Sequence, residues 1–198
     1  MKNRIITISR EFGSGGRSIG KLVAEKLGYR FFDSELVNKV AQRSGFSPEF
    51  IEESGEYASA RSSLLFALAT ASQYSADGLS MHDRLYIEQT KIIEEIAAEG
   101  ECVIVGRCAD FILRERKDCL NVFIHADMES RAKRIVERYG ECDKSPEKRL
   151  AEKDQKRKVY YKNYTGRNWG QAQNYDICLN SGALGIETCA ELIVQACK

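Results

Sequence analysis

The sequence predicts a three-layer α/β fold, a parallel five-stranded sheet between two layers of helices, on three observations. Short apolar, β-branched runs at 5–8, 102–105 and 120–124 have the composition of strands buried on both faces. Apolar residues at helical spacing, most often stopped by a glycine, fill the stretches between such runs, which is the pattern of parallel strands joined by helical crossovers. The first run opens into a loop with three glycines and then a helix, and sheets of this kind take their ligands at the carboxyl ends of the strands.

The elements follow in order. After the strand at 5–8, Ile19, Leu22, Val23 and Leu27 make a helix stripe that Gly28 ends. Residues 29–32 are a short second strand ending at Asp33. Ser34 suits a helix N-cap, Leu36, Val37, Val40 and Ala41 form the stripe behind it, and Gly45 stops it. Ser47-Pro48-Glu49 starts another helix, with Pro at the first helical position. Residues 61–76 (Leu64, Leu65, Leu68, Ala69) and 83–99 (Leu85, Ile92, Ile93, Ile96) add two more, the latter ended by Gly100. A span of 34–99 without a strand is too long for one crossover, so it predicts a helical lobe inserted after the second strand. The third strand, 102–105, ends at Gly106-Arg107. The fourth, 120–124, leads through Asp127 into a helix (Ala132, Ile135, Val136) stopped at Gly140. Residues 145–163 are rich in Lys and Arg with few apolar positions; 175–179 is the last strand, and Ile186, Cys189, Leu192, Ile193 and Ala196 mark the last helix.

Bulk properties narrow the class. The 198 residues, 43% hydrophobic and 30% charged, suit one water-soluble α/β domain with a full core. No stretch approaches the roughly 18 apolar residues of a membrane span, and no charged-then-apolar leader opens the sequence, so the expected location is the cytoplasm. The seven cysteines are odd in number and none is spaced C-x-x-C, which favours buried thiols in a reducing compartment over disulfides or zinc. Net charge is +1, but residues 128–170 hold 13 Lys and Arg against 7 Asp and Glu. Such a basic segment serves a polyphosphate or a nucleic acid, or is a solvated helix face.

The glycine loop carries the chemistry. Glycines let successive backbone N–H groups turn toward one point, and the helix N-terminus adds partial positive charge there. The pattern G-x-x-x-x-G-K-[ST] aligns over Glu11 to Ser18, with Glu11 at its first glycine and Arg17 at its lysine. Arginine keeps the cation and adds a fork for two phosphate oxygens. Ser18 stands where a hydroxyl would meet Mg²⁺. The expected ligand is a nucleotide phosphate held by Gly13, Ser14, Gly15, Gly16, Arg17 and Ser18. The same residues fit the first half of a dinucleotide fingerprint, Gly13-x-Gly15, with Ser18 in place of its third glycine and Asp33 as the ribose acid.

These motifs, with Phe31-Phe32-Asp33, Val105-Gly106-Arg107 and the late block Tyr160-Tyr161, Tyr164-Thr165-Gly166 and Trp169, make the chain resemble the cytidylate kinase-like branch of the P-loop nucleoside monophosphate kinases. The resemblance runs over essentially the whole chain. It implies transfer of the γ-phosphoryl of ATP, with Mg²⁺, to a nucleoside monophosphate. It also implies a core of 1–33, 100–143 and 170–198, an acceptor lobe of 34–99 and a basic lid of 144–169. In that scheme Asp33 faces the acceptor's sugar or base, Arg107 grips its phosphate, and Arg149, Lys153, Arg157 and Lys158 belong to the lid. Arg17, Arg107, Arg157 and Lys153 are the expected catalytic cations. Two departures stand out: Val105 replaces the family's acidic residue before Gly-Arg, and residues 153–160 keep only Asp154 of the cytidylate kinase lid pattern R-D-x-x-D-S-x-R. Cytidine specificity therefore does not carry over.

Plainer roles suit several of these residues. Asp33 can cap a helix, Arg107 can pair with a surface carboxylate, the late aromatics can be hinge packing, and His82 and His125 are isolated. The alternatives to a kinase are a non-catalytic nucleotide-binding regulator, a nucleic-acid stripe at 144–167 and a dinucleotide-dependent oxidoreductase. The inserted lobe leaves room for self-association.

Overall fold

A computed structural model describes residues 4–45 and 80–197. The helices expected to start at Ser47 and to run over 61–76 lie outside the described residues. The sheet comprises β1 (Ile5–Arg10), β2 (Arg30–Phe32), β3 (Cys102–Val105), β4 (Cys119–His125) and β5 (Ile177–Asn180). All pairings are parallel, and the order is β2-β3-β1-β4-β5. β1 is therefore central, paired Ile5↔Cys102 on one side and Ile5↔Cys119 on the other. The loop after it opens between the ends of β3 and β4. In a dinucleotide-binding sheet β2 lies beside β1; here β3 takes that place, which removes the dinucleotide reading of the loop.

The helices are α1 (Gly16–Leu27), α2 (Ser34–Ser44), α3 (Met81–Glu99), α4 (Ala109–Ile112), α5 (Met128–Tyr139), α6 (Pro146–Thr165), α7 (Ser181–Leu184) and α8 (Ile186–Ala196). Strand pleating sends Ile6, Ile8, Val103, Val105, Val122 and Ile124 to one face, where Ile19 and Val23 of α1 and Cys189 and Ile193 of α8 cover them. Ile5, Cys102, Ile104 and Cys119 face the other way, onto Leu36 and Val40 of α2, Leu85, Ile92, Ile93 and Ile96 of α3, and Leu113. These are the three layers the strand pattern predicts. Among the described residues no helix is long and apolar enough to cross a membrane.

The differences from expectation fall at element ends and in the basic segment. β1 runs on to Arg10. Asp33, not Ser34, holds the N-cap position of α2, and it makes no side-chain capping bond there. α3 starts at Met81, capped by Ser80 in a reciprocal capping box with Asp83. Residues 145–163, nearly featureless by apolar periodicity, are most of α6, a 20-residue helix. Its buried residues are Leu150, Asp154, Arg157, Tyr160 and Tyr161, a helical stripe in which only Leu150 is aliphatic. At its far end Tyr160 and Tyr161 join Cys108 in a third cluster with Tyr86, Phe111, Tyr164 and Trp169. Tyr86 stacks on Tyr164 at 4.1 Å between ring centroids, so packing accounts for these aromatics.

Candidate active site

The loop from Arg10 to Gly15 is held by its carbonyls. Arg157 Nη1 donates to Arg10 O at 2.8 Å, and the hydroxyl of Ser14 to Glu11 O at 2.9 Å. Arg131 Nη1 donates to Phe12 O at 3.3 Å and Arg134 Nη1 to Gly13 O at 2.8 Å. The Ser181 hydroxyl, at the start of α7, donates to Ser14 O. In a trans peptide the N–H of the next residue points away from the carbonyl. Fixing five successive carbonyls therefore fixes the peptide planes of the loop and with them its N–H groups. Glu11, Phe12 and Ser14 spend theirs on Ile124 O, Asp154 Oδ1 and Glu11 O. The N–H groups of Gly13 and Gly15 meet no acceptor among the described residues, and those of the first turn of α1 follow, since no side chain caps that helix. Gly13 and Gly15 are both left-handed, at φ +79° and +80°, with Gly15 at the N-cap of α1. Alternating left- and right-handed residues leading into a helix N-terminus form an anion cradle.

The cations around the loop are mostly not those the sequence suggests. Arg131, Arg134 and Arg138 lie at i, i+3 and i+7 on α5; the first two reach the loop and the third reaches Ser18 in the first turn of α1. Their spacing was available in the sequence, but they sit among other basic residues with nothing to set them apart. Arg131 also bonds Asp154 Oδ2 at 2.6 Å and stands 3.4 Å from Glu11 Oε2, both largely out of solvent. Glu11 Oε2 accepts from Ala126 N as well, so this residue ties the loop to the end of β4.

The expected site residues fall into two places. Gly13, Ser14, Gly15 and Gly16 build the cradle. Ser18 is in the first turn of α1, where its hydroxyl accepts from Arg138 Nη1 at 3.0 Å. Arg17 turns away from the cradle: its Nε is ion-paired with Asp33 at the end of β2. That pair lines a cleft of about 470 Å³ with Ser18, Lys21, Phe31 and Arg138. Arg157 is buried under the loop rather than displayed on a lid, and Lys153, one turn earlier on α6, is half-buried. Arg149 donates to Gly140 O between α5 and α6.

Arg107 follows β3, whose end is tied to β1 by Gly106 N donating to Ile8 O at 2.9 Å. Gly106, Arg107 and Cys108 are three successive left-handed residues, two of them not glycine. Strain of this kind persists only where the surroundings enforce it, and it gathers at functional sites. Here Gln89 of α3 donates to Arg107 O at 3.1 Å and to the Tyr160 hydroxyl at 3.2 Å, and Arg107 itself is buried. One turn on, Asp110 is buried against the hydroxyls of Tyr161 (2.6 Å) and Ser9 (3.3 Å), and desolvation raises its carboxyl above the ordinary value. No motif points to Asp110; its only sequence signal is an acid in an otherwise apolar turn.

Comparison with known proteins places this arrangement. Residues 5–183 match the model of the cytidylate kinase-like family. A cytidylate kinase from Archaeoglobus fulgidus is 32% identical over 197 residues, covering 96% of this chain and 93% of its own. One from Pyrococcus horikoshii is 25% identical, covering 89% and 79%. Among solved structures, an uncharacterized protein from Eubacterium ventriosum superposes with a TM-score of 0.72 at 28% identity, covering 98% of this chain and 97% of that one. Shikimate kinase from Acinetobacter baumannii gives 0.55 at 16% identity, covering 98% and 92%, a likeness of fold. With its central-strand cradle, its β2-β3-β1-β4-β5 sheet and a match across nearly its whole length, the chain belongs to the cytidylate kinase-like family.

Proposed function

We propose that the protein transfers the γ-phosphoryl group of ATP to the phosphate of a nucleoside monophosphate. The observation that carries this reading is the cradle itself: left-handed Gly13 and Gly15, carbonyls turned back onto α5, α6 and α7, and free N–H groups facing out. Such a surface binds a polyphosphate. The backbone N–H groups of residues 13–18 hold the donor's phosphates, with Arg134 and Arg138 within reach of the same edge. Arg107, just past the end of the strand next to β1, holds the acceptor's phosphate, and Asp33 with Arg17 faces the acceptor's sugar or base. Arg157 acts through the backbone of Arg10, as a positioning residue, and Lys153 adds charge from α6.

The chemistry asks little more of the chain. A phosphate monoester is largely ionised at neutral pH, so the acceptor oxygen needs no general base. Positioning and neutralisation of the charge on the transferring group supply the rate. Mg²⁺ fits this site as a companion of the nucleotide. Ser18 Oγ already takes a guanidinium, and among the described residues no three His, Cys, Asp or Glu side chains gather into a cage. The ion would therefore be held mainly by phosphate oxygens and water, which is its usual habit, and would neutralise phosphate charge.

The test is ADP release from MgATP with CMP, UMP, AMP and GMP offered singly, alongside melting curves with the same pairs. Release with one monophosphate, together with a melting point that ATP raises and that acceptor raises further, establishes the reaction and its acceptor. ATP stabilisation with no release for any acceptor would replace it with the regulatory reading.

A further inference from the structure

The glycine cradle fixes a register that spacing alone leaves open. In the motif G-x-x-x-x-G-K-[ST] the second glycine closes the loop and leads into the helix. In this protein that residue is Gly15, the left-handed N-cap of α1. Counting from it, the motif's first glycine falls on Arg10, its lysine on Gly16 and its hydroxyl on Arg17, one residue earlier than the alignment over Glu11 to Ser18. Glycine and cation have exchanged places: the strand end, glycine in the motif, carries arginine, and the lysine position carries glycine.

Geometry makes the exchange obligatory. A Cβ on Gly16 would lie 2.5 Å from Cβ and 2.9 Å from Cγ of Arg10. Only one of the two positions can bear a side chain. Arg10 shares the strand face of Ile6 and Ile8, beneath α1, and is 8% exposed, with its stem against the first residue of that helix. Its main-chain carbonyl is fixed by Arg157. Arg17, by contrast, is half-exposed and engaged with Asp33 on the flank of α1.

We propose that Arg10 takes the place of the motif's lysine and grips the donor's phosphates from the strand side, and that Gly16 is glycine to make room for it. This rests on the reading of the loop as a nucleotide-phosphate site. The specificity consequence is a planar, two-pronged contact with the donor in place of a point charge.

The experiment measures dissociation constants for MgATP and for inorganic tripolyphosphate, by calorimetry on the full chain. The variants are Arg10→Met, which keeps the stem on Gly16 and removes the charge, Arg10→Lys, Arg17→Met, and the exchange R10G/G16K. Loss of a charged hydrogen-bond donor is expected to weaken both probes about tenfold to hundredfold in Arg10→Met. Arg10→Lys should restore part of that loss, Arg17→Met should fall well short of it, and R10G/G16K, which restores the motif's first glycine and its lysine, should bind more tightly than Arg10→Met. The proposal is overturned by an Arg10→Met chain that binds like the wild type, by an Arg17→Met chain that loses as much, or by an exchange that recovers nothing. Wild-type protein that binds both probes but phosphorylates no acceptor would end the kinase reading and leave the role of Arg10 intact. Wild-type protein that binds neither would end both.

Discussion

Asp110 is nearly sealed from water between Ser9 and Tyr161, and its carboxyl is raised because burial disfavours the charged form. A group raised in the folded state stabilises the fold below its unfolded value, about 4 for a carboxyl. That contribution is lost as pH rises through the folded value. Asp110→Asn keeps an acceptor for the Tyr161 hydroxyl with no charge to bury. The variant should gain on the wild type as pH rises, and urea midpoints at pH 5 and pH 8 measure the gain. A difference between the two proteins that stays constant with pH would show that Asp110 does not titrate in this way. The residue scale is also where the sequence is least legible. Arg107 can be found after its strand, and Gly13 and Gly15 announce a turn. Nothing in the spacing shows that Arg17 turns to Asp33, or that a side chain at 16 would strike Arg10, because both depend on backbone angles in three dimensions.

At the scale of elements, strands buried on both faces identify themselves by unbroken apolar runs, which is why β1, β3 and β4 stand out in the sequence. α6 does not, because its inward face is made of Asp154, Arg157 and tyrosines. Hydrophobic periodicity cannot detect a face whose partners are loop carbonyls and a guanidinium. Leu150 is its one aliphatic anchor, fully buried and within reach of a Cβ at Gly13. Leu150→Ala should lose about 2–5 kcal/mol of stability by denaturant titration. Because the cavity opens directly beneath the cradle, MgATP affinity should fall as well, measured under conditions where the variant is folded. Normal affinity in a destabilised variant would mean that α6 supports the core but not the loop.

At the scale of the whole molecule, the five buried thiols report on closure of the three layers. Cys142 and Cys178 are exposed, while Cys102, Cys108, Cys119, Cys189 and Cys197 are buried. Burial pushes the Cys102 thiol up to about 11 and raises that of Cys178. A disulfide exchange reagent at pH 8 should therefore titrate two thiols quickly, Cys142 ahead of Cys178, and the other five only as the chain unfolds. A third fast thiol would show that one helical layer opens on its own. The same global closure shapes how the cradle works. Its carbonyls are bonded to α5, α6 and α7 by the chain's own side chains, so the entropy of ordering the loop is lost when the chain folds and, on the proposed function, not at each binding event. On the proposed function the cradle is a receptor formed in advance, and melting the helices behind it would release its carbonyls and so loosen its grip on the donor.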